Sequence, residues 1–420
     1  LKKVQQYRRV GLTYLQPPPL RDAPPVMRAT GTPTAVIERR DVPELGAVLM
    51  RYGNNVRFNF VRSEQQPGLV SAVVRVGTGL LDMPGRQPAL KEFGLNTVLA
   101  SGTGRFTGPQ VARLLEEEMV DFSFDLGDRD AFTFRGNMAV ANVDAFLGVV
   151  ADFLREPRFA RFAHDSVRAG AAMSRGAGQV GIGHGMRLMT DHLFEGDARF
   201  AWGNPIDYIS LSVVDVRRWM EPALTQGYVE VTVIGDLTEA EAVERVGRTL
   251  GALGPRAAEK TFGRVAPAKV RAPAGHRRFE FLGELNLGLA VGNWPVEGTL
   301  TVRDKAALNV LTKILEIRVR DEVRENQGLA YGPSASFQLF NGFDDLAMLQ
   351  ANADCAPTET DRVAQIMTEV ANRIAAEGVN EGEFVGSRGI LLSQMRRAFV
   401  ENSFLLSMLM RAQERPETLQ

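Results

Sequence analysis

The feature that most restricts the fold is an order of elements written twice. Two short β-type runs, at 48–50 and 56–61, flank Gly53-Asn54-Asn55, the composition of a hairpin turn. A strand at 71–76, a helical region at 88–100 and a helix at 109–118 come next, then strands at 122–126 and 131–138. Val143, Phe146, Leu147, Val150 and Leu154 recur at helical spacing, and another helix spans 161–174. Beyond a glycine-rich joint and a helix into Phe194, Val229, Val231 and Val233 alternate with Glu230 and Thr232, as in a half-buried strand. Thr238 and Glu241 have capping-box spacing for a helix over 239–250. The second half runs through the same series. It offers strands at 278–282 and 285–291, a helix over 304–323, and strands at 334–340 and 347–353. A helix carrying Val363, Ile366, Met367, Val370 and Ile374 then precedes a last one over 381–397. Asn137 and Asn352 end corresponding strands. Two copies of about 200 residues each fit this order. The clustering predicts an α+β fold of two homologous repeats, each an antiparallel-rich sheet with helices packed on one face. The second copy lacks the strand that 229–234 supplies to the first.

The corresponding division places a proline-rich interdomain linker at 1–40, where Pro17-Pro18-Pro19 and Pro24-Pro25 favour extended backbone. The first repeat occupies 41–254, a connector 255–275, and a truncated second repeat 276–420. The chain opens on Leu1 and no strand succeeds its final helical stretch, so it reads as a piece of a longer polypeptide. A formal net charge of −1 provides no basic excess to neutralise phosphates, which argues against a nucleic-acid partner. The best apolar run, 69–81, is broken by Arg75 and two glycines and predicts no transmembrane segment. The single cysteine, Cys355, cannot form an internal disulfide.

Between the long helix and the strand at 334–340 stands Arg324-Glu325-Asn326-Gln327-Gly328-Leu329-Ala330-Tyr331. A guanidinium at a helix end and a phenol entering the next strand, with a glycine turn between, can converge on one acceptor. Neither is a nucleophile or a proton-abstracting base at neutral pH. Both suit holding a carbonyl oxygen, or the charge it gains when attacked. A structural reading competes: a cation in the last helical turn meets the macrodipole, and Gly328 is an ordinary C-cap residue. Tyr331 would then be a half-buried strand aromatic.

Other signals carry less. His164, His184, His192 and His276 contain no i, i+4 pair of the kind a helical zinc site uses, so no metal is expected on this chain. Gly176, Gly178 and Gly181 match the dinucleotide pattern, yet they come after a helix rather than a strand and read as a flexible joint. Glu116-Glu117-Glu118 reads as a solvated helix face.

On these residues the chain resembles the pitrilysin/insulinase-type zinc metallopeptidases, the inverzincins, and within them the non-catalytic C-terminal half or subunit of a bacterial member. Arg324 through Tyr331 resembles the arginine-x6-tyrosine element of that family's non-catalytic domain. Residues 229–236 resemble its strand-Gly-Asp junction, and Thr249-Leu250-Gly251-Ala252-Leu253 the helix end after it. Residues 55–61, 73–79 and 94–103 have the spacing of its opening strands and motif helix. Tyr14-Leu15-Gln16-Pro17-Pro18-Pro19 resembles the end of a preceding family domain and its linker. The catalytic copy of the family carries His-x-x-Glu-His on its first helix. Here Phe93-Gly94-Leu95-Asn96-Thr97 stands in that place, and 170–172, where the third ligand belongs, holds no carboxylate.

The resemblance therefore implies no catalytic residue and no cofactor on this chain, with zinc in a partner half facing it across an enclosed chamber. It implies Arg324 and Tyr331 as substrate-binding residues and an extended peptide as substrate, lying along a sheet edge near 122–125. A periplasmic setting goes with the long bacterial relatives. The alternative is a non-enzymatic peptide-binding or scaffold module of the same fold, in which positions 324 and 331 are replaceable.

Overall fold

The computed structural model describes residues 32–419 apart from 86, 178–179, 203–209, 262–269, 271–275, 284–285, 331 and 344–345. Seven strands form the first sheet: β1 Val36–Val42, β2 Ala47–Tyr52, β3 Arg57–Arg62, β4 Leu69–Val76, β5 Asp121–Asp125, β6 Phe132–Ala139 and β7 Val229–Gly235. Their spatial order is β1-β2-β3-β7-β4-β6-β5, antiparallel throughout except where β7 runs parallel to β3. The Gly53-Asn54-Asn55 hairpin forms as expected, with Asn55 N donating to Tyr52 O at 2.9 Å and Asn55 taking φ +70°. β1 begins five residues inside the stretch that reads as linker.

The accompanying helices are α1 Ala89–Ser101, α2 Gly108–Glu117, α3 Val143–Arg155, α4 Arg161–Ala177, α5 Ile182–Leu193, α6 Val213–Gln226 and α7 Glu239–Thr249. The capping box that starts α7 is present: Thr238 Oγ1 accepts Glu241 N at 3.3 Å, and the Glu241 carboxylate accepts Thr238 N at 2.9 Å. The even residues of β4 share one face with the odd residues of β7, and the remaining residues of both share the other, so alternation sorts two layers. Val70, Ala72, Val74, Val229, Val231 and Val233 join Phe58, Phe60, Phe132 and Phe134 in the main core, beneath Phe93, Phe146, Phe153, Trp219 and Val246 of the helices.

The second sheet has three described strands, β8 Gly288–Glu297, β9 Ser334–Leu339 and β10 Leu346–Cys355, in the order β8-β10-β9 and all antiparallel. This repeats β4-β6-β5 in order and direction. α8 Val302–Arg320 takes the place of α1 and α2, and α9 Thr360–Glu377 and α10 Glu381–Ala398 that of α3 and α4. Asn137 and Asn352 each accept a seryl hydroxyl from a neighbouring strand, Ser71 at 2.8 Å and Ser334 at 3.0 Å. The strand expected at 278–282 does not form. Leu282 makes one isolated parallel bridge to Val180 and accepts Gly181 N at 2.6 Å.

Helices do not stay on one face of the first sheet. After α10 the chain crosses back, and α11 Asn402–Leu409 with the turn after it lies on the far side of β2, β3, β4 and β7. Leu406, Leu409, Met410 and Ala412 pack there on Leu49, Val61, Val73 and Ile234. Glu230 and Thr232 are consequently 0% exposed, where alternation alone suggests solvent. So is Arg75. Charges in this layer are paired: Arg75 meets Asp130 at 2.9 Å and Glu414 at 2.5 Å, Arg411 meets Asp130 at 2.9 Å, and Lys260 meets Glu414 at 2.8 Å. The Glu230 carboxylate accepts Asn59 Nδ2, Tyr228 OH, Gln413 N and Glu414 N at 2.7–3.1 Å. Burial pushes its carboxyl above the usual range despite these donors.

A reciprocal crossing covers the second sheet. Phe194 and Phe200, just past α5, stack at 4.2 Å and lie on Phe340, Phe343, Leu346 and Met348. One turn serves both crossings. Asp128 and Asp130 point into the charged layer, while the guanidinium of Arg129 lies 4.7 Å from the ring centre of Phe340. Arg129 takes φ +56°, the left-handed backbone that sends its side chain apart from its neighbours'.

Candidate functional site

The candidate arginine sits where α8 loses its regular pitch. The helix opens on a capping box, Asp304 N donating to Thr301 Oγ1 at 3.2 Å and Thr301 N to the Asp304 carboxylate at 2.9 Å. Leu315, Val319 and Val323 fix one face in the second core. At Asp321 the backbone enters a single π turn, Asp321–Asn326. Such a turn inserts a residue and rotates the succeeding side chains relative to the helix. Val323 stays buried, and the next residue, Arg324, carries its side chain 46% exposed with Nε 3.5 Å from the Glu325 carboxylate. Gly328, at φ +64°, then reverses the chain: its N donates to Arg324 O at 3.0 Å, and Leu329 N to Val323 O at 2.9 Å.

Exposed ion pairs brace this turn. Glu322 meets Arg373 of α9 at 2.9 Å, and the Gln327 amide oxygen accepts Arg362 at 2.8 Å. At the end of α8 proper, Arg318 binds both oxygens of Glu383 at 2.7 and 2.8 Å. That hydrogen bond and the capping contact with Asn380 bring the Glu383 carboxyl down to about 2. Surface pairs contribute little stability each, but together they hold the turn against α9 and α10.

Tyr331 lies outside the described residues, and Arg324 is the member of the pair that has a described place. Its neighbour Ala330 is buried and bridges Cys355 at the end of β10, which returns the chain to the second sheet.

Phe93, Gly94 and Thr97 of α1, where the sequence reading looks for a zinc motif, are buried. Phe93 is 1% exposed and Thr97 fully buried on α1. A Cβ on Gly94 would come within 2.9 Å of Met220 Sδ and 3.0 Å of the Trp219 ring, so α6 is packed directly on this turn. His164 of α4 comes to Thr97, Nδ1 to Oγ1 at 3.2 Å, and its Nε2 lies 3.1 Å from Leu211 O. Both ring nitrogens are thus satisfied in a buried site. A phenyl, a hydroxyl and one such imidazole do not fit zinc, which wants three or four accessible donors. Among the described residues no three His, Cys, Asp or Glu side chains gather as a metal site. Gly176, Gly178 and Gly181 fall partly outside the described residues; Gly181 itself takes φ +77°. Glu116 and Glu117 are exposed, and Glu117 pairs with Arg113 at 2.7 Å.

Sequence reasoning passed over Lys91, one turn before the motif position. Its ammonium donates to the carbonyls of Arg199, at 3.3 Å, and Ala201 and faces the Trp202 ring, clipping the crossing segment to α1. Burial lowers its pKa to about 8. A lone lysine among apolar letters carries no signal of this. Among the described residues β5, which contains the expected peptide edge, is a terminal strand of its sheet and pairs only with β6. Among the described residues no helix is long and apolar enough to cross a membrane.

Residues 210–391 match the family described as the peptidase M16 inactive domain. No curated protein matches the chain in sequence. Solved structures share the fold at low identity. The periplasmic protease PqqL from Escherichia coli superposes with a TM-score of 0.72 and 14% identity, over 94% of this chain and 43% of PqqL. A peptidase M16 inactive domain from Pseudomonas fluorescens gives 0.70 and 14%, with 88% of each chain covered. Pitrilysin gives 0.66 and 13%, over 92% of this chain and 43% of pitrilysin. The chain thus spans less than half the length of PqqL and of pitrilysin. Residues 210–391 thus resemble the peptidase M16 inactive domain, and the chain shares the fold of these solved structures.

Proposed function

We propose that this chain is the substrate-holding half of a bacterial zinc metallopeptidase that encloses and cleaves peptides, the zinc and the general base residing in a partner half. Arg324 and Tyr331 hold the main-chain carbonyl of the peptide next to the bond being cleaved. An extended peptide lies along β5, adding a strand to the sheet edge. A periplasmic setting is in keeping with this reading.

The observation that carries it is the π turn. A residue whose only task was to end α8 would lie along the helix and cap its carbonyls. Arg324 instead projects beside a buried anchor, on a turn braced from two helices, inside the segment that matches the inactive domain. A guanidinium so placed can donate two hydrogen bonds to a carbonyl oxygen and strengthen them as charge builds there.

The test is steady-state peptide hydrolysis by this chain together with its zinc-bearing half. Arg324→Ala and Tyr331→Phe should each lower kcat/KM by about 2–4 kcal/mol of transition-state stabilisation, with zinc content unchanged. Undiminished turnover in both variants would overturn the assignment and leave the scaffold reading. Chelator-sensitive hydrolysis by this chain alone would overturn the division of labour itself.

A further inference from the structure

One face of the first repeat carries cations that its own carboxylates leave unmatched. It forms where α4 and α6 begin. His164 Nε2 lies 3.1 Å from Leu211 O, and the Arg217 guanidinium stands 5.4 Å from the ring centre of Phe159. These two contacts hold residues 158–164 beside residues 211–218. Val214, Arg217 and Arg218 are spaced by three and four positions, so they share one face of α6.

Exposed arginines elsewhere in the chain, such as Arg39, Arg62 and Arg373, lie 2.7–2.9 Å from a carboxylate. Here Arg161 is 3.9 Å from Asp165 and Arg218 3.8 Å from Asp215, beyond hydrogen-bond reach, with their side chains 89% and 73% exposed. Arg158 meets a carbonyl, Gly104 O at 2.9 Å, and Arg217 meets a ring; among the described residues neither has a carboxylate partner. The neighbouring acids are engaged by other groups. Asp215 accepts the N and Oγ of Ser212 in a capping box, at 3.0 and 2.6 Å. Asp165 lies 3.2 Å from Arg168, and Asp152 is shared by Arg105 and Arg155 at 3.3 and 3.2 Å.

Two large apolar side chains stand in solvent among these cations. Phe162 is 84% exposed and Val214 57%. The backbone at both places is anchored, since Phe159, Ala163, His164, Leu211 and Val216 are all buried. The ring of Phe162 therefore projects from a fixed helix start and has nearly all its apolar area left to bury. An aromatic ring amid arginines is the composition of a protein–protein contact, where both residue types are enriched.

We propose that the starts of α4 and α6 form a docking surface for an acidic segment of a protein partner. An apolar side chain of that segment packs on Phe162 and Val214, and its carboxylates pair with Arg158, Arg161, Arg217 and Arg218. Charge complementarity selects this occupant. A guanidinium presents a planar fork of donors that matches a carboxylate, and no ion pair on this face has to break for the new ones to form. The chain as a whole has a net charge of −1, so the attraction is confined to this face and a long polyanion gains little beyond it. The inference stands whether or not Arg324 touches substrate.

The experiment is fluorescence anisotropy on the full chain with a labelled peptide of about 15 residues, aspartate and glutamate around a central pair of leucines. Binding should saturate at low salt and weaken about 10-fold or more between about 0.05 and 0.3 M salt. Arg161→Glu combined with Arg218→Glu should weaken it at least about 10-fold, and Phe162→Ala about 5-fold. All three side chains are exposed, so Tm should stay within about 2 °C in both variants, which separates lost binding from lost folding. The proposal is overturned if the peptide does not bind saturably, if the charge-reversed protein still binds it, or if a version with lysine for each acid binds equally. It is also overturned if a leucine-free acidic peptide binds as tightly, since Phe162 would then have no part. Preferential capture of phosphatidylglycerol vesicles, or of a single-stranded oligonucleotide, through the same arginines would overturn it in favour of a membrane or a nucleic acid.

Discussion

Two crossings hold the repeats together, and they solve the same problem with different chemistry. The segment from α11 to Glu414 lies on the first sheet over paired charges, with Arg75 and Glu230 wholly buried. The segment past α5 lies on the second sheet over stacked rings, Phe194 and Phe200 against Phe340 and Phe343. A ring cluster gains from any apolar contact of about the right shape and tolerates small displacements. A buried ion network does not. Each charge taken from water must find its partner in place, so the network contributes less net stability than its contacts suggest, while removing one member is costly. The first crossing therefore specifies position, and the second supplies adhesion.

The largest effects that would break this contrast come from deleting one member on each side. Arg75→Ala leaves Asp130 to Arg411 and Lys260, and Glu414 to Lys260 alone, an under-compensated buried cluster, and should lose about 3–5 kcal/mol of unfolding free energy. Phe200→Ala should lose about 3–5 kcal/mol by leaving a cavity among three rings. Denaturant titration at two pH values separates them: the Arg75→Ala deficit should shrink near about pH 2–3, as the under-compensated carboxyls take up protons, and the Phe200→Ala deficit should not. Equal behaviour would remove the distinction.

A smaller effect lies in the acid limb. Burial opposes ionisation of Asp130, but Arg75, Lys260 and Arg411 bring its carboxyl from 3.8 down to about 2. A depressed folded pKa contributes stability that is whole above the unfolded value and disappears as pH falls through the folded one. Asp130→Asn should therefore flatten the stability profile between about pH 4 and pH 2, by on the order of 2 kcal/mol, relative to the unmodified chain. A parallel pair of profiles would show that the carboxyl is not held this way. The smallest effect belongs to the link between the crossings. Arg129→Ala removes a guanidinium from the face of Phe340 and should lose about 1 kcal/mol, read in the same titration.

Much of the fold was legible in the sequence because helices and hairpins are local. Val143 through Leu154 announce their helix by spacing, and Thr238 with Glu241 mark the start of the next. β1 was not legible, since Glu38-Arg39-Arg40-Asp41 has neither alternation nor apolar residues, as befits a guarded edge. α6 was hidden by Pro222 within it. Glu230 and Thr232 looked solvated because the cover over them, Leu409 to Glu414, lies nearly two hundred positions further on. At the candidate site the helix end and Gly328 could be read from residue types. The π turn could not, because inserting one residue into a helix leaves no mark in composition.

The turn at Asp128-Arg129-Asp130 has a consequence for how the molecule comes apart. Three consecutive residues feed two distant interfaces, and the left-handed backbone at Arg129 lets them do so without any slack between them. Loosening either interface pulls on the other through a single peptide unit. Heat should accordingly melt both repeats in one calorimetric peak, even though each has a sheet and a hydrophobic interior of its own.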